Sequence, residues 1–275
     1  MEPDDQRHHG AVRSRIARWP SSDEELVELQ DAVAREAERA IAANPWSSPD
    51  RPVMGGCFVA FARGEAGPGH PGDRAWAAAV AWRPDPGSDR RGRRVDSHLR
   101  GAAGDARPRR ADDVLAQAVA AERVPAAYVP GLLARREGHV LALAVEKLEL
   151  RPDVLLVDAT GVDHPRRAGL AVHLGAVIGV ATVGVTQRPL VARGPLPPRQ
   201  RGARMPVRVG ERCVGFWVCT KTGARPVVAH AGWRTSPEAA AQTVLAGSTE
   251  AARTPVPLQE ARRAAREARA LAGAG

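Results

Sequence analysis

The chain has 275 residues, and 44% of them are hydrophobic, so it is long enough and apolar enough to bury a full core as one large domain. Its formal net charge is +9, from 40 Lys and Arg against 31 Asp and Glu, and this arginine-rich excess favours a partner rich in phosphate. No apolar run approaches the ~20 residues of a membrane span, and the opening MEPDDQRHHG lacks the apolar stretch of a signal peptide. The three cysteines are scattered and suggest no disulfide framework. We therefore expect a soluble, monomeric protein of the cytoplasm.

Composition divides the chain into three parts. Residues 1–20 mix Asp, His, Arg and Pro without periodicity, which predicts a poorly ordered N-terminal tail. Residues 21–250 form the predicted α/β domain. Residues 251–275 contain the Ala, Arg and Glu pattern of a C-terminal helix.

The elements of the domain follow from apolar periodicity and from the residues that start and stop helices. Ser22 followed by Glu25 is a capping box, which marks the start of the first helix. The predicted helices cover residues 22–44, 132–150, 165–178, 236–245 and 257–272. The predicted strands cover residues 53–61, 75–82, 154–157, 180–185 and 213–220, while residues 114–124 form either a third early strand or a short helix. The turn-rich stretches 83–94 and 101–110 receive no assignment.

Residues 152–187 organise the rest of the chain. The run VLLV at 154–157 is apolar on both faces, as in a buried parallel strand, and it stops at a carboxylate. Pro165 opens a helical pattern that Gly179 ends, and a second apolar strand follows. In such a βαβ unit the chemistry lies beyond the carboxyl ends of the strands. Four polar residues fall there: Asp158, Asp163, His164 and Gln187.

Residues 186–212, here called the basic segment, contain seven arginines and one glutamate among many Pro and Gly. This composition predicts a flexible loop that either binds the backbone of a nucleic acid or is a solvated charged surface. The candidates for phosphate contact are Arg188, Arg199, Arg201 and Arg204.

Four segments together resemble the Endonuclease V family: YVPGLLARREG at 128–138, PDVLLVDATGVDHPRRAGLAVHLG at 152–175, VGVTQRPL at 183–190 and HAGWRTS at 230–236. The spacing of the first two segments forms a compound pattern that is far more specific than either piece alone. The resemblance extends from about residue 53 to residue 245. It implies a ribonuclease-H-like α/β fold, with a central mixed sheet of an antiparallel hairpin and parallel strands, flanked by helices.

The resemblance also implies an activity and the residues that perform it. The family uses a carboxylate cluster that binds Mg²⁺ (or Mn²⁺) to nick DNA or RNA on the 3′ side of a deaminated base such as inosine. Glu137 and Asp158 match two of the catalytic carboxylates and are the expected metal ligands, because Mg²⁺ prefers hard oxygen donors. His164 matches a further catalytic position, and Arg166 follows it in the same HPR motif as a nucleic-acid contact. Tyr128, Pro130 and Gly131 match the wedge that separates strands beside an extruded base.

Five further family positions have changed their chemistry. Phe58 in GCFVAF stands where the first metal-binding Asp of the family is expected, and a phenyl ring cannot bind magnesium. Gln187 replaces a lysine, and Trp233 replaces a catalytic histidine. Ala159 and Thr160 also replace the Gly and His of the fourth motif.

Nearby residues are candidates to compensate for these losses. His230 lies three residues before Trp233 and is a candidate catalytic residue, provided that the loop is rearranged. Asp73 or Glu65 is a candidate for the missing metal ligand. With these residues, the expected function is a metal-dependent endonuclease of nucleic-acid repair with weakened activity. The alternative is a non-catalytic nucleic-acid-binding protein that keeps the fold, the wedge and the basic segment.

Overall fold

The structure is a computed structural model that describes residues 19–62, 68–83 and 114–273. Its centre is a sheet whose eight strands lie in the order β3-β2-β1-β4-β5-β8-β7-β6 within this part of the chain. The strands are β1 (Met54–Phe61), β2 (Arg74–Trp82), β3 (Val114–Arg123), β4 (Val154–Val157), β5 (Ala181–Thr186), β6 (Arg204–Val209), β7 (Arg212–Val218) and β8 (Val227–Ala231). The helices are α1 (Asp23–Ala43), α2 (Leu133–Glu146), α3 (Leu170–Ile178), α4 (Pro237–Ala246) and α5 (Val256–Ala272).

The sheet is mixed, as the resemblance implied. Strands β1, β4 and β5 are parallel neighbours at its centre, and all the other strand pairs are antiparallel. The hairpin of β1 and β2 is confirmed, and residues 114–123 form a strand rather than a short helix. Parallel strands in the middle of a sheet bring their carboxyl ends to one edge, and this edge contains the candidate site.

Helices cover both faces of the sheet. Leu155 and Val157 of β4 point to the face covered by α2 and α3, while Val154 and Leu156 point to the face covered by α4 and α5. All four side chains are buried, which explains why this strand is a continuous apolar run rather than an alternating one. The hydrophobic core therefore lies in two layers, one on each side of β4.

Several boundaries differ from the predicted ones. Helix α3 begins at Leu170 rather than at Pro165. One reason is that Arg167 has a φ of 56°, which is not a helical conformation. The other is that Gly169 lies close to Thr160, where a Cβ on Gly169 would be 2.5 Å from the Thr160 carbonyl oxygen. Gly179 ends the helix in the left-handed conformation, as expected. Strand β8 was not predicted, and it is buried along its whole length.

The prediction of a flexible loop for the basic segment is wrong. Residues 204–209 of the segment form β6, which pairs with β7, and Arg193 and Arg208 exchange backbone hydrogen bonds of 2.8 and 2.7 Å. Most of the residues with which β6 pairs lie outside the segment in sequence, so its composition alone did not reveal them.

The N-terminal prediction is partly wrong as well. Trp19, placed in the disordered tail, stacks on His173 with the ring centroids 4.8 Å apart. Residues 1–18 lie outside the described residues, as do Glu65, residues 101–110 and all of 83–94 except Arg83. Within the described part of the chain, no helix has both the length and the hydropathy needed to cross a membrane.

Candidate nucleic-acid and carboxylate site

Asp158 directly follows the carboxyl end of β4 and lies beside Phe58, the fifth of the eight residues of β1. The parallel register pairs Cys57 with Val157, so the next residue of each strand is Phe58 and Asp158. Both side chains are partly exposed. The aromatic ring that replaces the expected first aspartate is therefore next to the carboxylate that remains.

Glu137 enters the same region from the second turn of α2. Burial raises the pKa of Glu137 to about 8, the negative charge of Asp158 adds to this rise, and the positive charge of Arg136 opposes it. Burial also raises the pKa of the Cys57 thiol, with the charges of Asp158 and Glu137 contributing. The structure thus brings Glu137 and Asp158 into one electrostatic unit, here called the carboxylate site.

Arg262 of α5 supplies a positive charge to the carboxylate site. One of its terminal nitrogens donates a hydrogen bond of 2.9 Å to Asp158 Oδ2, and its guanidinium carbon lies 4.9 Å from the centroid of the Phe58 ring. Sequence reasoning missed this residue, because it belongs to a helix of regular Ala, Arg and Glu composition about a hundred positions away.

The donor set of the carboxylate site does not fit a magnesium ion. Mg²⁺ requires near-octahedral oxygen coordination, whereas Phe58 offers no donor and Asp158 is already paired with Arg262. In residues 19–62, 68–83 and 114–273, no group of three or more His, Cys, Asp or Glu side chains is arranged to hold a metal. Asp158 is instead paired with a guanidinium, next to Glu137, whose pKa is raised.

Asp73 does not compensate for Phe58. Its Oδ2 accepts a 2.7 Å hydrogen bond from Arg136, and both side chains are almost fully buried. Arg136 also donates to the carbonyl of Ala126 and stacks on the ring of Phe61. Through these contacts Arg136 joins α2 to the hairpin of β1 and β2 and to the residue Ala126 before the wedge. Asp73 therefore has a structural role.

His164 positions the wedge, residues 128–131. Its Nε2 lies 2.9 Å from the carbonyl oxygen of Gly131, and its Nδ1 accepts the backbone N–H of Arg166 at 3.2 Å. Burial lowers the pKa of His164 below its ordinary value, which favours the neutral ring with the proton on Nε2. Both ring nitrogens are therefore engaged with the backbone.

Gln30 of α1 gives the wedge a second support. Its Nε2 donates to the Gly131 carbonyl at 2.9 Å, and its Oε1 accepts from Arg166 Nε at 2.5 Å. Sequence reasoning did not select Gln30, although a polar residue on the apolar face of an amphipathic helix was the available signal. Gln30 is 1% exposed, so these bonds form away from water.

A cleft of about 190 Å³ lies between the wedge and the carboxylate site. Its lining residues include Tyr128, Gly131, Asp158, Thr160, His164 and Leu190. Tyr128, the only tyrosine in the chain, is 45% exposed. Gly131 has a φ of 81°, which glycine adopts without strain, and this turn directs the chain from the wedge into α2.

His230 is buried behind this cleft and has no solvent-exposed surface. Its Nε2 lies 2.7 Å from the hydroxyl of Thr186, which lines the cleft, and its Nδ1 lies 3.5 Å from Asp163 Oδ2. Burial lowers the pKa of His230 to about 4, while the Asp163 charge acts in the opposite direction. The structure therefore connects His230 to the cleft only through Thr186.

The remaining changed positions have different surroundings. Trp233 is buried among Leu29, Val33 and Val172 and has a packing role. Gln187 is exposed at the end of β5, where the family is expected to have a cation.

The arginines of the basic segment fall into two groups. Arg188, Arg199 and Arg204 are exposed. Arg201 instead donates to the carbonyls of Thr220, Leu245 and Ser248, so its guanidinium ties the segment to the end of α4. The structure gives Arg201 a structural role rather than the predicted phosphate contact.

Comparison with known proteins agrees with this fold. The family model described as Endonuclease V matches residues 105–263. The chain is 41% identical over 130 residues to Endonuclease V of Roseiflexus castenholzii, and this match covers 47% of the chain and 58% of that relative. The chain therefore spans little more than half the length of that curated relative.

Two solved structures are similar over most of the chain. The crystal structure of Endonuclease V from Streptomyces avermitilis has a TM-score of 0.72 and 30% identity, covering 94% of this chain and 97% of that one. Ciona intestinalis Endonuclease V, in complex with a 24mer DNA containing an inosine followed by a ribo-adenosine, has a TM-score of 0.62 at 19% identity. That alignment covers 90% of this chain and 98% of the Ciona chain, and it shows a shared fold.

Proposed function

The chain belongs to the Endonuclease V family, whose members nick nucleic acid at deaminated bases, and from this premise we propose that it binds inosine-containing nucleic acid without cleaving the backbone efficiently. This is the second of the two functions expected from the sequence. The single observation that carries the proposal is the open cleft beside the exposed ring of Tyr128.

The cleft supports base recognition by its size and its position. Its volume of about 190 Å³ exceeds the ~150 Å³ in which a benzene ring binds, so a base can enter without rearranging the core. Tyr128 offers an aromatic face at this cleft, and stacking of a base on such a face contributes about 1–3 kcal/mol. A Ciona relative of the same fold is known in complex with inosine-containing DNA.

The wedge is rigidly supported, which favours binding. Gln30 and His164 both lie within hydrogen-bond distance of the carbonyl of Gly131, at 2.9 Å each. A backbone that is already held in place loses less conformational entropy when a base binds beside it. The exposed Arg188, Arg199 and Arg204 add the positive charge that attracts phosphates.

The same geometry argues against efficient cleavage. Arg262 is bonded to Asp158, and Phe58 lies where an oxygen ligand is expected. Neither His164 nor His230 presents a free ring nitrogen to the cleft, because His164 is bonded to the backbone and His230 is buried behind Thr186. The site therefore lacks both a full metal-ligand set and an accessible histidine to act as acid or base.

A weak metal-dependent endonuclease is the second candidate function. It is favoured by one observation, the retention of Glu137 next to Asp158 with their charges coupled. A pair of interacting carboxylates is unusual in a protein that only binds.

The test measures binding and nicking on the same oligonucleotides. Fluorescence anisotropy in EDTA compares duplexes and single strands that contain one inosine with matched strands that contain adenosine. Wild type should prefer inosine, and Tyr128→Ala should weaken the binding of inosine strands roughly 5- to 150-fold, as expected for the loss of 1–3 kcal/mol of stacking. Leu115→Ala is the control, because Leu115 is also 45% exposed and does not line the cleft.

Nicking is then followed with Mg²⁺ and with Mn²⁺. We expect no accumulation of nicked product with wild type. Robust cleavage that disappears in Asp158→Asn would contradict the proposal and establish the second candidate. Equal affinity for inosine and adenosine strands, unchanged in Tyr128→Ala, would show that the wedge does not select a base.

A further inference from the structure

The C-terminal helix α5 is seated directly on β1. A Cβ on Gly56 would lie 2.3 Å from the backbone carbon and oxygen of Pro257, so only glycine permits this approach. The small side chains of Ala264 and Ala265 pack against Ala60 and Ala78 of the sheet. The helix is therefore held close to β1 by residues on both sides of Arg262.

This seating fixes the guanidinium of Arg262 between two groups. On one side it forms the 2.9 Å ion pair with Asp158, and on the other it lies 4.9 Å from the Phe58 ring centroid. Arginine is well suited to both contacts, because its planar cation pairs with carboxylates and stacks on aromatic faces. The Phe58 ring thus helps to hold a cation beside Asp158, at a position where the resemblance implies a metal-binding aspartate.

The charge of Arg262 excludes a second cation at the same carboxylate. Arginine is a permanent cation in proteins. A divalent ion at Asp158 would have to break the ion pair and would then lie within a few ångströms of a like charge in a partly desolvated region. The side chains of Arg262 and Asp158 are only 30% and 33% exposed, so solvent screens this repulsion incompletely.

We propose that Arg262 is the resident cation of the carboxylate site and takes the place of a divalent metal. Its guanidinium neutralises Asp158 permanently, and Phe58 and α5 hold it there. The protein then binds no divalent metal at Asp158, and its binding of nucleic acid is independent of Mg²⁺. Only this last consequence rests on the proposed binding function.

The test measures metal binding directly, without nucleic acid. Mn²⁺ is titrated into the protein, and free Mn²⁺ is followed by electron paramagnetic resonance. Wild type should show no saturable binding in the millimolar range. Arg262→Gln, which removes the charge, should bind Mn²⁺ at least about tenfold more tightly, and the double variant Phe58→Asp with Arg262→Gln should bind more tightly still.

Two matched variants separate charge from structure. Arg262→Lys keeps a cation beside Asp158 and should remain without saturable Mn²⁺ binding. Arg266→Gln removes an exposed arginine from the next turn of the same helix and should behave as wild type. Thermal unfolding, followed by circular dichroism, identifies any variant that does not fold. If Arg262→Gln does not fold, the question is decided by two variants that keep a cation at position 262, namely Arg262→Lys and Phe58→Asp. The proposal requires that neither of these two variants binds Mn²⁺.

The outcomes that overturn the proposal are distinct from those that overturn the binding function. Saturable millimolar or tighter Mn²⁺ binding by wild type, lost in Asp158→Asn, would show that Arg262 does not hold the site. If folded Arg262→Gln binds Mn²⁺ no more tightly than wild type does, the proposal is overturned as well. If the protein fails to bind inosine strands at all, the binding function is wrong, while the Mn²⁺ titration still decides the role of Arg262. If binding occurs and is equal in EDTA and in Mg²⁺, both are supported.

Discussion

Replacing Asp163 with alanine should detach the basic segment from the sheet edge. The Asp163 side chain has no exposed surface and accepts three backbone hydrogen bonds, from the N–H groups of Leu190, Val191 and Ala192 at 2.7, 2.9 and 2.8 Å. We therefore expect Asp163→Ala to affect stability strongly.

The magnitude follows from the burial of the three donors. Ala192 is fully buried, so its N–H would be left without a partner at a cost of about 1–3 kcal/mol. Leu190 and Val191 are partly or largely exposed, so water would replace part of their bonds to the carboxylate. Each hydrogen bond to a charged group contributes about 1.5–3 kcal/mol before such compensation. The sum, reduced for rehydration and for non-additivity, is a loss of about 3–5 kcal/mol in the free energy of unfolding.

Urea denaturation of wild type, Asp163→Ala and a matched control measures this loss. Asp153→Ala is the control, because Asp153 is an exposed carboxylate that accepts a single backbone N–H, from Val53 at 2.8 Å. The control should lose only about 1 kcal/mol. If Asp163→Ala is no less stable than Asp153→Ala, the three bonds do not anchor the segment and the reasoning is refuted.

Three further predictions concern titration and phosphate contact. The pKa of Glu137 is raised to about 8, so the stability contributed by its protonated form is lost as pH rises from the ordinary glutamate pKa to about 8. In urea denaturation across pH 5–9, Glu137→Gln should reduce this loss in the free energy of unfolding by up to a few kcal/mol. The pKa of His173 is lowered to about 4 by burial, so the stability of its neutral form is lost as pH falls from the ordinary histidine pKa towards 4. His173→Phe keeps a ring against Trp19 and should reduce this acid loss by about 3 kcal/mol, whereas an unchanged acid limb would mean that His173 is not the group that titrates. Replacing Arg199 and Arg204 together with alanine should reduce the magnitude of the log–log salt slope of duplex binding by about 1.8, while Arg201→Ala should lower stability and leave that slope unchanged.

The central unit of the fold could be predicted from local signals. The apolar run before Asp158 is buried on both faces, and such a run predicts a parallel strand wherever it occurs. The helix that Gly179 ends and the strand that follows it use equally local cues. The resemblance then supplied the global arrangement, including the convergence of Glu137 and Asp158.

The errors share one physical cause, which is that long-range contacts decided the outcome. The basic segment has the composition of a loop, but a buried carboxylate at position 163 and pairing with β7 order it. The start of α3 is delayed by the close approach of Gly169 to Thr160. Trp19 is packed because His173 offers a ring on which to stack.

The sequence by itself determined the central βαβ unit, because its strands, helix and terminating glycine depend on residue type and near spacing. The family resemblance added the mixed sheet and the expectation of a metal-binding aspartate where Phe58 stands. Only the tertiary structure decided which group lies beside Asp158. The approach of α5 to β1 at Gly56 brings Arg262 to Asp158 across 104 positions of the chain. No local pattern encodes such a contact, since it exists only when the sheet and the helix have packed together.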